Sequence, residues 1–205
     1  DQNGKTVSDT DFAGRYRLVY FGYSYCPDIC PVDLQKLMRG LAAFEKSDPA
    51  RGAKVAPIFI TVDPERDTPA ALKPFVSRYH PRLLGLTGTP EQIAAVAKAF
   101  VVTYNKVPGS APDRYLMAHS QLAFLMDPDG KPLALLPLDD PTTDPDEGAP
   151  PAQGVGSGPG AARRRMAPPG VPDPATWGNR DPALPPAAAD EIAASVAGGR
   201  VRRRR

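Results

Sequence analysis

The first 138 residues alternate between two hydrophobic rhythms. Arg15 to Tyr23 (RYRLVYFGY) and Lys54 to Val62 (KVAPIFITV) are dense in β-branched and aromatic residues with no helical period, which predicts two buried strands. Between them Leu34, Leu37, Met38, Leu41 and Phe44 recur at helical spacing and mark an amphipathic helix. Pro31 fits the first turn of that helix, where a missing N–H costs nothing, and would clash deeper inside. The helix therefore starts near Cys30, and Cys26 falls in the loop before it.

Further along, Asp67-Thr68-Pro69 offers an N-cap threonine with proline at the first helical position, and Leu72, Phe75, Val76 and Tyr79 supply the apolar stripe. Leu83 to Leu86 reads as a short strand. Thr89-Pro90-Glu91-Gln92 has capping-box character and opens a third helix running to about Phe100. Val101 to Val107 reads as extended and Gly109 to Arg114 as a loop. Gln121 to Met126 and Pro132 to Leu136 read as hairpin strands around a Pro128-Asp129-Gly130 turn. At the N-terminus, Asn3-Gly4 before Lys5-Thr6-Val7 reads as a turn into a short strand. The order β-α-β-α-β-α-β-β predicts an α/β domain with a parallel or mixed sheet and helices on its faces.

Composition changes the picture beyond that point. The chain has 205 residues and 26 prolines, and 12 of these, with 7 glycines, lie between Pro141 and Pro186. Such a stretch buries too little apolar surface to offset chain entropy. The expected organisation is a folded domain over 1–138, a disordered Pro/Gly-rich insertion over 139–183, a C-terminal helix over 184–198 that includes AAADEIAASV, and a basic tail over 199–205. A formal net charge of +2 argues against a nucleic-acid partner. The arginine runs at Arg163 to Arg165 and Arg202 to Arg205 read as solvated tail, with anionic lipid as the alternative contact. No apolar run approaches the ~18 residues of a membrane span, and an anchor outside this chain stays open.

The chain holds 2 cysteines, too few for a disulfide framework. Their placement in Cys26-Pro27-Asp28-Ile29-Cys30, where a strand gives way to a helix, points to chemistry instead. Helix N-termini favour thiolate, so Cys30 is expected to titrate below the ~8.5 of a free thiol. Thiolate is both the nucleophile of disulfide exchange and a ligand for soft metals. The thioredoxin-like redox motif has two residues between its cysteines, whereas this loop has three, which lets both sulfurs turn toward one ion. Two thiolates make a poor structural zinc site, and a low-coordinate soft ion such as Cu(I) suits them better.

Of the two histidines, His80 in Tyr-His-Pro reads as a helix-end or packing residue. His119, in Met117-Ala118-His119-Ser120 at a strand start, is open between a ligand and a structural role; Met117 reads as core rather than as a soft ligand. Asp67, next to an N-cap, reads as structural, Asp63 at a strand end is open, and Asp28 reads as solvated. Three functions compete on these residues: a metal carrier, a thiol–disulfide oxidoreductase in which one cysteine attacks and the other resolves, and a peroxidase-like thiol enzyme, for which no peroxide-binding arrangement is visible.

FGYSYCPDICPVDL, TVDPERDTP, YHPRLLGLTGTPEQ and AHSQLAFLMDPDGK, in this order and at these distances, resemble the Sco/SenC family, as do the opening DQNGK and DFAGRY. The resemblance covers roughly residues 1–138. It implies a thioredoxin-like α/β fold with a central mixed sheet flanked by helices and an N-terminal β-hairpin extension. It also implies copper, Cu(I) or Cu(II), bound by Cys26, Cys30 and His119. The implied function is a copper metallochaperone assisting assembly of the dinuclear copper centre of cytochrome c oxidase. The alternative is a thiol–disulfide oxidoreductase that keeps the copper-site cysteines of subunit II reduced, with Cys26 and Cys30 catalytic. Family members face the periplasm or the mitochondrial intermembrane space, usually behind an N-terminal membrane anchor. The family pattern has Asp directly before the histidine; Ala118 departs from it, which implies a less well oriented imidazole. AADEIAASV is similar to the family's C-terminal helix, set back by the insertion.

Overall fold

The structure, a computed structural model, describes residues 1–111, 114–136 and 138. The expected insertion, C-terminal helix and basic tail lie outside them. After a 3-10 turn at Asp9–Phe12 come β1 (Tyr16–Gly22), α1 (Ile29–Ser47), the single-turn α2 (Pro49–Gly52), β2 (Val55–Thr61), α3 (Pro69–Val76), β3 (Leu84–Leu86), α4 (Pro90–Ala99), β4 (Tyr104–Ala111), β5 (Arg114–His119), β6 (Ala123–Met126) and β7 (Pro132–Leu136).

Five strands form one mixed sheet in the order β3-β2-β1-β6-β7. β1 runs parallel to β2, β2 parallel to β3, and β6 antiparallel to both β1 and β7. Continuous burial along β2 is what a strand covered on both faces requires. Pro57 is tolerated in β2 because β3 begins alongside Ile58, one residue later, so at Pro57 that side of the strand still has no neighbour. One face of the sheet packs against α1 and α3, through the Tyr20 hydroxyl on Asp33 of α1 at 2.8 Å and the Phe59 and Phe75 rings at 5.2 Å. The other face meets α4, where Phe100 sits 5.3 Å from Phe21 and 5.2 Å from Phe124. Gly85 has to be glycine, since a Cβ there would stand 2.8 Å from Cγ1 of Val76.

The helix starts follow the sequence reading. Thr68 and Thr89 accept from the Ala71 and Gln92 amides, each with proline at the first helical position. Three expectations need correction. The N-terminal β-hairpin does not form. Residues 1–8 contain no strand, because their polar groups are satisfied locally: Gly4 donates to the Asp1 carbonyl at 2.9 Å, and Oδ1 of Asp1 accepts from Asn3 and Lys5 at 2.8 and 2.9 Å. Gln2 only touches the sheet edge, accepting from the Gly85 amide at 3.0 Å. Second, the stretch read as strand, loop and strand start is an antiparallel hairpin of its own, β4 with β5, in which Tyr104 lies opposite His119. His119 therefore ends a strand rather than starting one.

Third, Val101 is not extended: its φ is +56°. It occupies the left-handed position after α4, with Val101 N–H donating to the Lys98 carbonyl at 3.1 Å and Val102 N–H to the Ala97 carbonyl at 2.8 Å. This Schellman closure normally takes glycine, and a β-branched residue there is strained. Val101→Gly should therefore stabilise the protein. Relief of roughly 1–2 kcal/mol of left-handed strain exceeds the roughly 0.5–1 kcal/mol of extra chain entropy that glycine loses. A rise in the thermal midpoint is expected; an unchanged or lower midpoint would show that Val101 is not strained.

Candidate metal centre

β1 ends at Gly22 directly beneath Cys30. A Cβ at Gly22 would lie 3.1 Å from Sγ of Cys30 and 3.0 Å from the Tyr20 and Phe59 rings, so the strand end is kept bare to admit the thiol. The chain then leaves the sheet, and the Cys26 amide donates to the Tyr23 carbonyl at 3.3 Å. α1 begins at Ile29, and the Cys30 amide donates to Sγ of Cys26 at 3.4 Å. Both cysteines are free thiols; Cys30 is buried and Cys26 half-buried.

From 89 residues away in sequence, β5 brings Nε2 of His119 to 3.3 Å from Sγ of Cys30. Nδ1 of the same ring lies 3.0 Å from the Ser120 carbonyl oxygen. A carbonyl only accepts, so Nδ1 carries the proton, Nε2 keeps its lone pair, and the Cys30 thiol donates to it. Burial pushes the imidazole pKa down, against a smaller opposite effect of the Ser120 contact, which keeps the ring neutral. Tyr20 and Tyr23 stand edge-on to the ring at 6.4 and 6.1 Å. Tyr20 also donates its hydroxyl to Oδ2 of the buried Asp33 at 2.8 Å, one turn along α1 from Cys30.

The expectation that the helix N-terminus lowers the Cys30 pKa is overturned. Burial pushes this thiol up to about 12, only partly offset by a hydrogen bond from the Tyr23 backbone. A terminal dipole acts through a fraction of a charge, whereas complete desolvation penalises the whole thiolate.

The turn after β2 fixes both halves of the site. Asp67 accepts from the Ser24 amide at 2.9 Å, from the Ser24 hydroxyl, and from Thr61 Oγ1 at 2.6 Å. Its role is structural, as read, but it anchors the cysteine loop rather than the helix start. Burial raises its pKa, with the neighbouring Asp63 adding to the rise. Asp63 is buried and accepts from the Tyr115 hydroxyl at 2.8 Å and from Nε of Arg66 at 2.5 Å. It thus lies behind the site, holding the strand that carries His119.

The remaining residues sort cleanly. Met117 is buried in the core, Asp28 is exposed, and His80 joins Glu45 and Arg82 at the far end of α1. Ala118 is exposed and lies opposite Asn105 in β4. Alternation along β5 turns it away from the face shared by Met117 and His119. The imidazole is oriented by Ser120, so the expected loss of orientation at Ala118 is not found. Gly22, Tyr20, Tyr23, Asp33, Tyr115 and Arg66 were not singled out from sequence. Only Gly22 carries a signal there, since glycine inside a strand pattern marks a close approach. A cavity of about 1220 Å³, lined by Val19, Ile58, Ile60 and Phe124 on the α4 face, contains none of the three candidate donors.

Among the described residues no set of three or more His, Cys, Asp or Glu side chains already encloses a cation position. The contact between Cys30 and His119 nevertheless fits two donors of one ion. Donors at about 2.3 Å (S) and 2.0 Å (N) from a shared ion lie roughly 3.5 Å apart at tetrahedral angles, close to the 3.3 Å between Cys30 and His119.

Fold and site together define a thioredoxin-like domain with two thiols at a strand-to-helix junction and an imidazole delivered by a separate hairpin. The chain belongs to the SCO1/SenC family, whose family model matches residues 1–147. It is 45% identical over 130 residues to the mitochondrial protein SCO2 homolog of Bos taurus, covering 63% of this chain and 48% of that one. The copper-bound structure of Bradyrhizobium japonicum ScoI matches with a TM-score of 0.62 and 43% identity, covering 68% of this chain and 86% of that one. BsSco, described with a disulfide switch and as a member of the Sco family of cytochrome c oxidase assembly proteins, matches with a TM-score of 0.51 and 29% identity over 66% of this chain and 77% of that one. The chain thus spans about half the length of the bovine relative.

Alkylation of Cys30 in a Cys26→Ser variant tests the electrostatics. The iodoacetamide rate should keep climbing past the ~8.5 of a free thiol. A plateau below that pH would show that the helix terminus outweighs burial.

Proposed function

We propose that this protein is a copper carrier in which Sγ of Cys26, Sγ of Cys30 and Nε2 of His119 hold the metal as cargo. The observation that carries this reading is the 3.3 Å approach of Nε2 to Sγ of Cys30, with the ring proton committed to the Ser120 carbonyl. The imidazole is then a ready lone-pair donor, and two sulfurs beside it make a set soft enough for Cu(I) and, with the nitrogen, acceptable to Cu(II). Cys26, half-buried on its loop, gives up the Cys30 amide to join the set and is the donor an acceptor protein reaches first. Cys30 loses its proton on loading, whereas His119 is already neutral.

The proposed recipient is the dinuclear copper site of cytochrome c oxidase subunit II. Family membership supports this, as does the assembly role ascribed to BsSco. The proposed location is the periplasmic side of a bacterial inner membrane or the mitochondrial intermembrane space, supported by the mitochondrial relatives. No helix among the described residues is long and apolar enough to cross a membrane. Thiol–disulfide exchange is a second reading, favoured by one observation: an accessible Cys26 beside a buried Cys30 suits an attacking and a resolving thiol.

Copper titration of the reduced protein with a competing chelator tests the carrier reading. One ion per chain is expected. Cys26→Ser and Cys30→Ser should lose Cu(I), and His119→Ala should lose mainly Cu(II). Ala118→Asp should change neither affinity by the about 10–100-fold typical of an orienting partner, because residue 118 faces away from the ring. Parent-like Cu(II) binding by His119→Ala would refute the three-donor set. If neither the parent nor His119→Ala binds copper while the reduced parent still reduces a model disulfide, the second reading is favoured.

We also propose that 1–138 is the metal-binding unit and 139–183 an insertion into it, with 184–198 a helix of the same domain. The dense core ending at the buried Leu138 supports this. Deleting 141–182 should leave cooperative thermal unfolding and copper stoichiometry unchanged; loss of either would show that the insertion is structural.

A further inference from the structure

Arg66 lies on the turn after β2 and touches both halves of the site. Its Nε donates to Oδ2 of Asp63 at 2.5 Å and its Nη1 to the Tyr115 carbonyl at 3.0 Å. The guanidinium carbon stands 3.6 Å from the centre of the Tyr115 ring, 4.8 Å from that of Tyr25 and 5.8 Å from that of Tyr23. Tyr23 and Tyr25 bracket Ser24 immediately before Cys26, whereas Tyr115 shares the face of β5 that carries His119. Asp67 holds the cysteine loop and Asp63 holds the strand; Arg66 spans the two. Besides the Tyr115 hydroxyl on Asp63, a further tie from this turn to the hairpin, Glu65 with Lys106, is solvent-exposed and of a kind worth little.

We propose that Arg66 is a positioning residue for the metal donors. Stacked between the tyrosines of the cysteine loop and the tyrosine of β5, it sets the separation at which Cys26 and His119 can reach one ion. A planar guanidinium can stack on rings and hydrogen-bond at its edge together, and lysine cannot. The effect should be larger for Cu(II), which depends on the imidazole, than for Cu(I), which two thiolates can hold. The inference rests on the reading of Cys26, Cys30 and His119 as donors.

The test compares the parent with Arg66→Ala, Arg66→Lys and Tyr25→Leu, the last at an exposed ring whose loss should leave folding intact if Arg66→Ala does not fold. His119→Ala is run alongside. In the copper-free proteins, the His119 ring resonances should shift or broaden in Arg66→Ala and Arg66→Lys, and less in Tyr25→Leu. Cu(II) affinity should fall by about 10–100-fold in both Arg66 variants, with an altered Cu(II) spectrum and a smaller loss of Cu(I). If His119→Ala loses Cu(II) while the folded Arg66 and Tyr25 variants keep parental ring signals, affinity and spectrum, Arg66 is only a stabilising residue and the proposal fails. If His119→Ala itself binds Cu(II) like the parent, the donor set is wrong and the proposal falls with it.

Discussion

Two buried carboxylates on the turn after β2 carry the geometry of the site. The thiols sit at the start of α1, the imidazole at the end of β5, and the five-stranded sheet does not join these pieces directly. Asp67 receives the Ser24 amide and hydroxyl from one side; Asp63 receives the Tyr115 hydroxyl from the other. Each carboxylate costs desolvation energy and is compensated by several hydrogen bonds, the condition under which buried acids persist. Removing either would leave buried donors without acceptors and would loosen one donor group relative to the other. The sheet supplies stability, and this turn supplies the spacing.

Burial decides the resting chemistry. A sulfur at a helix start is expected to be thiolate, yet Cys30 is kept as a thiol because no water reaches it. The neighbouring imidazole is kept neutral by the same desolvation. A neutral thiol donating to a neutral ring nitrogen is a stable resting pair, which on the proposed carrier reading would become a thiolate and a nitrogen donor once a cation replaces the shared proton. Cys26 stays nearer to solvent, so the site has one guarded and one accessible sulfur.

Most of the fold was legible in the sequence because its elements are strongly periodic and well punctuated. Thr68-Pro69 and Thr89-Pro90 announce helix starts, and Pro128-Asp129-Gly130 announces the last hairpin. In the sequence β4 reads as extended only as far as Val107 and β5 is missed, because Pro108-Gly109 imitates a loop and the hairpin buries little. Val107 and Leu116 stay exposed, Tyr104 and Tyr115 pack only partly against the core, and Met117 is its one fully buried side chain among the described residues. The N-terminal strand was over-read, since Val7 is the one aliphatic side chain available there to bury. In the site, the two cysteines were legible from their loop and the histidine through the family resemblance. Arg66, Tyr115 and Asp33 were not, because contacts between segments dozens of residues apart leave no local pattern. The doubt raised by Ala118 dissolves on strand parity, which places it on the opposite face from its neighbour.

The delivery of His119 by a separate hairpin has a topological consequence. An ion bound by both Cys30 and His119 is a cross-link closing a loop of 89 residues. On the chain-entropy model a covalent closure of that length removes about 4–5 kcal/mol of disorder from the unfolded chain. A coordinate bond that must remain exchangeable gives a reversible version of the same restraint. On the proposed carrier reading, loaded and empty forms of the domain would then differ in rigidity as well as in cargo, and an acceptor could tell them apart by how firmly β5 is held.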